Sequence, residues 1–194
     1  IYNTLEVDGQ SLVAVTSSAR GGRGGAIHFS MGLGEGDGYA TVDPETGVIN
    51  AITAGKVLLI VRAAGDSDYQ AVTQTYWLTI AQRMPELTMA LSEELSVDKT
   101  VMAYVFSSAT DGMGGAITYA VTAGSGSATV DPSTGALMGI SAGTVKLTAS
   151  TEGDWDYKAA SISQEITIDK GRPVLSLSPV MGLRVDEIAT LTAT

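Results

Sequence analysis

ATVDPETG, residues Ala40 to Gly47, returns as ATVDPSTG, residues Ala128 to Gly135. Asp131 minus Asp43 gives an offset of 88 residues, the length of one small domain. The same offset carries AGK at Ala54 onto AGT at Ala142, GDSDY at Gly65 onto GDWDY at Gly153, and Pro85 onto Pro173. Upstream, SSARGGRGGAI from Ser17 matches SSATDGMGGAI from Ser107 at an offset of 90, so the first copy carries two extra residues between Gly32 and Tyr39. A third copy opens after Pro173, where LSLSPVMGLRVDEIATLTAT echoes LTMALSEELSVDKTVMAYVF. The chain therefore divides into residues 1–83, a copy without its first strand; 84–171, a whole copy; and 172–194, the start of a third. Because the boundaries fall inside repeats, the chain reads as a window from a longer array; completion of one chain by its neighbour is the alternative.

Within each copy the apolar residues alternate, the mark of half-buried strands. Ala189, Leu191 and Ala193 form one such row, which places Val101, Ala103 and Val105 inward and leaves the threonine side solvated. Ile117, Tyr119 and Val121 form a second inward row, Val145, Leu147 and Ala149 a third, Ile166 and Ile168 a fourth. Strands are expected near Leu87–Ser92, Thr100–Phe106, Ala116–Thr122, Ala128–Val130, Ala136–Ile140, Gly143–Ser150 and Ser161–Asp169. No segment has helical period. Seven short strands joined by glycine-rich turns predict an all-β chain of tandem immunoglobulin-like Greek-key β-sandwiches. The DPSTG turn agrees: Pro132 supplies a fixed φ and Gly135 the positive φ that other residues avoid.

Composition narrows the function classes. Eleven Lys and Arg against 21 Asp and Glu give a net charge of -10, a field that repels nucleic-acid backbones and anionic lipid surfaces. No apolar run approaches the roughly 20 residues of a membrane helix, and the chain opens at Ile1 without a basic-then-apolar leader, as an excised piece would. With no cysteine and one histidine, neither a standard zinc site nor a Ser-His-Asp set can be assembled. The clusters GGRGG and GEGDG do not link a strand to a helix, so they read as hairpin connections and not phosphate loops. No enzyme is expected.

The motifs Val-Asp-Pro-x-Thr-Gly, Ala-Gly-Thr-Val-Lys-Leu-Thr-Ala and Gly-Asp-x-Asp-Tyr resemble the bacterial immunoglobulin-like (Big-type) repeats of surface adhesins and exported multidomain proteins. The resemblance spans nearly the whole chain. It implies a sandwich and an extracellular or cell-surface setting, in a superfamily with many roles and no shared catalytic residues. In that strand order, the loops Asp111–Gly115, Asp131–Gly135 and Gly153–Tyr157 all point to the end that meets the preceding repeat. The linker Gln82–Pro85 is short and proline-restricted, so a stiff end-to-end rod is expected.

Few residues stand out as sites. Asp66 with Asp68, and Asp154 with Asp156, are the recurring paired carboxylates. They are oxygen donors of the kind Ca²⁺ takes, but two carboxylates fall short of its six to eight ligands, and aspartate is a standard turn former. Tyr69 and Tyr157 follow those turns, where a tyrosine packs its ring on a core edge. Trp155 stands where the first copy has Ser67, and Trp77 aligns with Glu165 on an outward face. Trp155, Tyr157 and Trp77 are therefore the candidate contacts for a glycan or host protein. His28 aligns with Thr118 at an outward, solvated position. Three roles compete: a surface stalk or adhesive array, a carbohydrate-binding accessory module, and a subunit assembled by strand exchange between adjacent chains, with phage-particle decoration indistinguishable by sequence.

Overall fold

A computed structural model describes residues 5–19, 23–32, 36–109, 114–174, 184, 185 and 188. The expected row Ala189, Leu191 and Ala193, and the core of the loop Asp111–Gly115, lie outside the described residues. The first copy forms β1 (Leu5–Glu6), β2 (Gln10–Leu12), β3 (Ile27–Met31), β4 (Tyr39–Val42), β5 (Val48–Thr53), β6 (Gly55–Ala63) and β7 (Val72–Ala81). The second forms β8 (Leu87–Leu91), β9 (Leu95–Ser96), β10 (Thr100–Ser107), β11 (Ile117–Ala123), β12 (Ser127–Val130), β13 (Ala136–Ser141), β14 (Gly143–Thr151) and β15 (Ala160–Asp169). No helix occurs among the described residues.

In the second copy one sheet has the order β12-β13-β10-β8 and the other β11-β14-β15-β9. The chain changes sheet between β8 and β9, β9 and β10, β10 and β11, β11 and β12, and β13 and β14, the Greek-key wiring of an immunoglobulin-like sandwich. The first copy repeats it with β1-β7-β6-β3 facing β2-β5-β4. All neighbours are antiparallel except β1 on β7 and β9 on β15. These two-residue parallel strands were not expected. Alternation needs more than two residues to be read, and parallel pairing is set by position against a strand some 70 residues downstream.

Most of the inward rows fall as alternation requires. Val101, Ala103, Val145, Leu147, Ala149, Ile166 and Ile168 are buried, and Tyr119 and Val121 pack against the core cluster of the second sandwich, while Val105 and Ile117, also expected inward, are half-buried. The turn between β12 and β13 is held by Asp131, whose Oδ1 accepts from the amides of Ser133 (2.9 Å) and Thr134 (2.8 Å). Gly135 follows at φ 74°, and a Cβ there would sit 3.0 Å from the Tyr119 ring. Gly47 and Phe29 repeat the arrangement in the first copy. This conserved geometry of turn, glycine and ring explains why the segment that recurs most faithfully is DPxTG.

Candidate functional site

The segment Gly153–Tyr157 is the point at which the second sandwich meets the first. Its shape comes from Asp154, whose Oδ1 accepts from the amides of Asp156 and Tyr157, both at 2.8 Å, while Oδ2 accepts from Gly114 at 2.5 Å. Burial disfavours the charge, but these three amides outweigh it and hold the Asp154 carboxyl below its ordinary range. Asp66 forms the same turn, accepting from Asp68 and Tyr69 at 2.9 Å and from Gly24 at 2.6 Å. The leading aspartate of each pair is thus a turn former.

The second aspartate points across the junction. Asp156, 6% exposed, accepts from the Ala54 amide of the first sandwich at 2.7 Å. Tyr157, 1% exposed, enters the hydrophobic cluster of Leu5, Val7 and Ile80 in that sandwich. Its hydroxyl donates to Asp8 Oδ2 at 2.5 Å, and Arg83 Nη1 lies 3.6 Å from the same oxygen. The linker is zipped onto the loop as well. The Arg83 amide donates to the Asp156 carbonyl (3.0 Å), the Arg83 carbonyl accepts from Lys158 (2.9 Å), and Gln82 Nε2 donates to the Asp154 carbonyl (2.8 Å). Ring burial, a charge-assisted hydrogen bond and a backbone bridge act on one loop, so the junction resists bending there.

Each candidate residue has a definite place. Tyr157 is corrected as a ligand contact: it is buried by the neighbouring sandwich and presents no ring to solvent. Trp155 is 91% exposed at the crest of the loop and does not cover the junction. Trp77, 56% exposed on β7, borders a shallow depression with Gly36, Asp37 and Lys56, where the two extra residues of the first copy fall. The three aromatics do not form one platform. Asp68 pairs with Arg23 at 2.6 Å. Asp131–Gly135 points toward the same end as Gly153–Tyr157 but is set back along β11, the Pro132 carbonyl accepting from Tyr119. His28 is exposed on β3.

On the other half of the junction the sequence reading had Gln82 and Arg83 only as part of a short, stiff linker, and Asp8 and the role of Ala54 escaped it. One signal was present: Val7-Asp8 returns as Val97-Asp98 and Val185-Asp186. Asp8 and Asp98 both adopt positive φ, 61° and 63°, uncommon outside glycine and best tolerated by Asn and Asp. Tyr104 and Phe106 on β10, with Met138 and Ile140 on β13, are also exposed, although the outward face was expected to be threonine-rich.

Strand order and sheet pairing define the class: the chain is built of immunoglobulin-like β-sandwiches. No family model and no curated protein matches it. Among solved structures it is similar to Drosophila N-cadherin EC1-3 (14% identity, TM-score 0.33, covering 75% of this chain and 56% of that one). It is also similar to a C-terminal intimin fragment solved with the intimin-binding domain of the translocated intimin receptor (17%, 0.32, 86% and 62%). A third similar structure is of the fibronectin(III)-like modules of Clostridium thermocellum CbhA (16%, 0.30, 90% and 93%). The chain spans about 56% and 62% of the first two. These overlaps are loose, and the assignment to the sandwich class stands on the strand order itself.

Proposed function

We propose that this chain is a spacer segment of a bacterial extracellular or cell-surface array, in which immunoglobulin-like repeats are locked end to end and hold a distal part away from the cell. The observation that carries this reading is the burial of Tyr157 in the core of the preceding sandwich. A flexible string of beads has no use for a residue of one repeat buried in the core of the next, whereas a rod is served by one at each joint. The parts for further joints recur. Tyr69, 37% exposed, ends the matching loop of the first copy, and Asp98 and Ala142 occupy in the second copy the places of Asp8 and Ala54. Neighbouring repeats are the partners, and catalysis has no part in this role. Small-angle X-ray scattering is expected to give one extended particle; a curve that needs an ensemble of freely tumbling domains defeats the proposal. Antibodies against the chain are expected to label intact cells.

Trp155 favours a second role on the same scaffold. A 91% exposed indole on a loop pinned by backbone and side-chain hydrogen bonds is an aromatic contact with little entropy left to lose on binding. Glycan-array or host-protein binding that disappears in Trp155→Ala, with melting unchanged, would establish it. Binding that survives the substitution would remove it.

A further inference from the structure

The two sandwiches share one scaffold but differ at one place on it. In the second, Ser125 Oγ accepts from the Thr144 amide at 2.9 Å and the Thr144 carbonyl accepts from the Gly126 amide at 3.0 Å, which ties the loop before β12 to the start of β14. In the first, Asp37 Oδ1 accepts from the Lys56 amide at 2.8 Å and the Lys56 carbonyl accepts from the Gly38 amide at 3.1 Å, the same two bonds. A hydroxyl is enough for that tie, and a carboxylate adds a second acceptor oxygen and a charge. The Lys56 amide holds the Asp37 carboxyl below its ordinary range, so the charge persists. Lys56 itself stands where the second copy has Thr144, and Trp77 where it has the exposed Glu165. Leu58, directly opposite Trp77, stands where the second copy has Lys146. None of these four side chains is required by the fold, because the second copy builds the equivalent sheet without them.

The four departures meet at one spot. Lys56 lies two residues along β6 from Leu58 and so shares the outward face on which Leu58 and Trp77 are paired. Gly36 lies against the indole: a Cβ there would stand 3.4 Å from Trp77 Cζ3 and collide with the Lys56 carbonyl. The loop is thereby brought onto the edge of the ring, and Asp37, Lys56 and Trp77 border one shallow depression. Trp77 remains 56% exposed, and Asp37 and Lys56 are exposed as well.

We infer that Trp77, Asp37 and Lys56 form a subsite for one sugar ring of a glycan. A pyranose has a face of C–H groups, which stacks on the electron-rich face of an indole, and a rim of hydroxyls that both donate and accept. The Asp37 carboxylate accepts from those hydroxyls and the Lys56 ammonium donates to them. One charge of each sign leaves the spot without a net field to select an ionic ligand. An open, shallow depression suits a flat ring held on one face, whereas an apolar side chain gains most from enclosure. The subsite lies on the first sandwich and uses neither the junction contacts nor Trp155, so it stands or falls separately from both roles proposed above.

The second copy supplies the variants for the test. Trp77→Glu, Asp37→Ser and Lys56→Thr each install the side chain that the second copy carries at the same place, so all three are expected to melt as the parent chain does. The whole chain is applied to an array of printed oligosaccharides. Each glycan retained is then titrated in solution against Trp155→Phe, in which Trp77 is the one tryptophan left to report by fluorescence. Saturable binding of at least one glycan is expected, with a change in Trp77 emission and an affinity undiminished by Trp155→Phe. Binding should weaken at least about tenfold in Trp77→Glu, and also fall in Asp37→Ser and Lys56→Thr. No retained glycan, binding that these variants leave unchanged, or binding lost with Trp155→Phe overturns the inference.

Discussion

The Tyr157 hydroxyl donates to Asp8 Oδ2 at 2.5 Å across 149 residues of sequence, joining the end of one sandwich to the first turn of another. Tyr157→Ala removes both this bond and a ring from the core of the first sandwich. By analogy with buried aromatic truncations it should cost about 3–5 kcal/mol, and Tyr157→Phe, which keeps the ring, about 1.5–3 kcal/mol from a hydrogen bond to a charged group. Urea denaturation followed by hydrogen exchange checks this. The decisive sign is that a substitution in the second copy lowers protection of Leu5, Val7 and Ile80 in the first.

Asp156 should behave differently, because what it satisfies is a backbone amide. Asp156→Ala leaves the Ala54 amide without its acceptor in a half-closed junction, a loss of about 1–3 kcal/mol. Asp156→Asn keeps an acceptor oxygen and should recover most of it. Equal melting of the two variants would contradict this account of the junction.

Gly135→Ala is expected to destabilise the second sandwich by about 1–3 kcal/mol through backbone strain. The residue has φ 74°, and the added Cβ would lie 2.7 Å from the Ala103 carbonyl and 3.0 Å from the Tyr119 ring. Thermal melting of the variant measures it.

Stability should also fall in acid. The amides of Thr134 and Ser133 hold Asp131 below its ordinary value of 3.8, and Asp154 is held below it by the amides of Gly114, Asp156 and Tyr157 against the opposing effect of burial. A folded-state pKa below the unfolded one adds stability that is complete above the unfolded value and is lost as pH drops through the folded one. The urea midpoint is therefore expected to be flat above about pH 5 and to decline from roughly pH 4 downward. Asp131→Asn and Asp154→Asn should each flatten that decline.

Much of this architecture could be read from the chain alone, and the reason lies in repetition. Two copies of DPxTG with matched inward rows specify strand, turn and face together, so Val145, Leu147 and Ala149 could be placed inside before any coordinates. The junction was legible on one side only. GDSDY and GDWDY look equivalent, yet Tyr69 is 37% exposed and Tyr157 1%, because exposure depends on what docks against the loop and not on the loop. Ala54 contributes a backbone amide, which carries no side-chain signature at all. Trp155 is the converse case: a large aromatic beside a junction, facing solvent because the neighbouring Asp156 and Tyr157 occupy the contact.

The central claim is that the two sandwiches are held in one arrangement by Asp156 and Tyr157. The chain has no cysteine, so spin labels can be placed uniquely at Gln74→Cys on β7 and Gln164→Cys on β15, both exposed. A pulsed electron-resonance distance measurement should give a single narrow distribution that broadens when Tyr157→Ala is added. A distribution already broad with Tyr157 in place would contradict the claim.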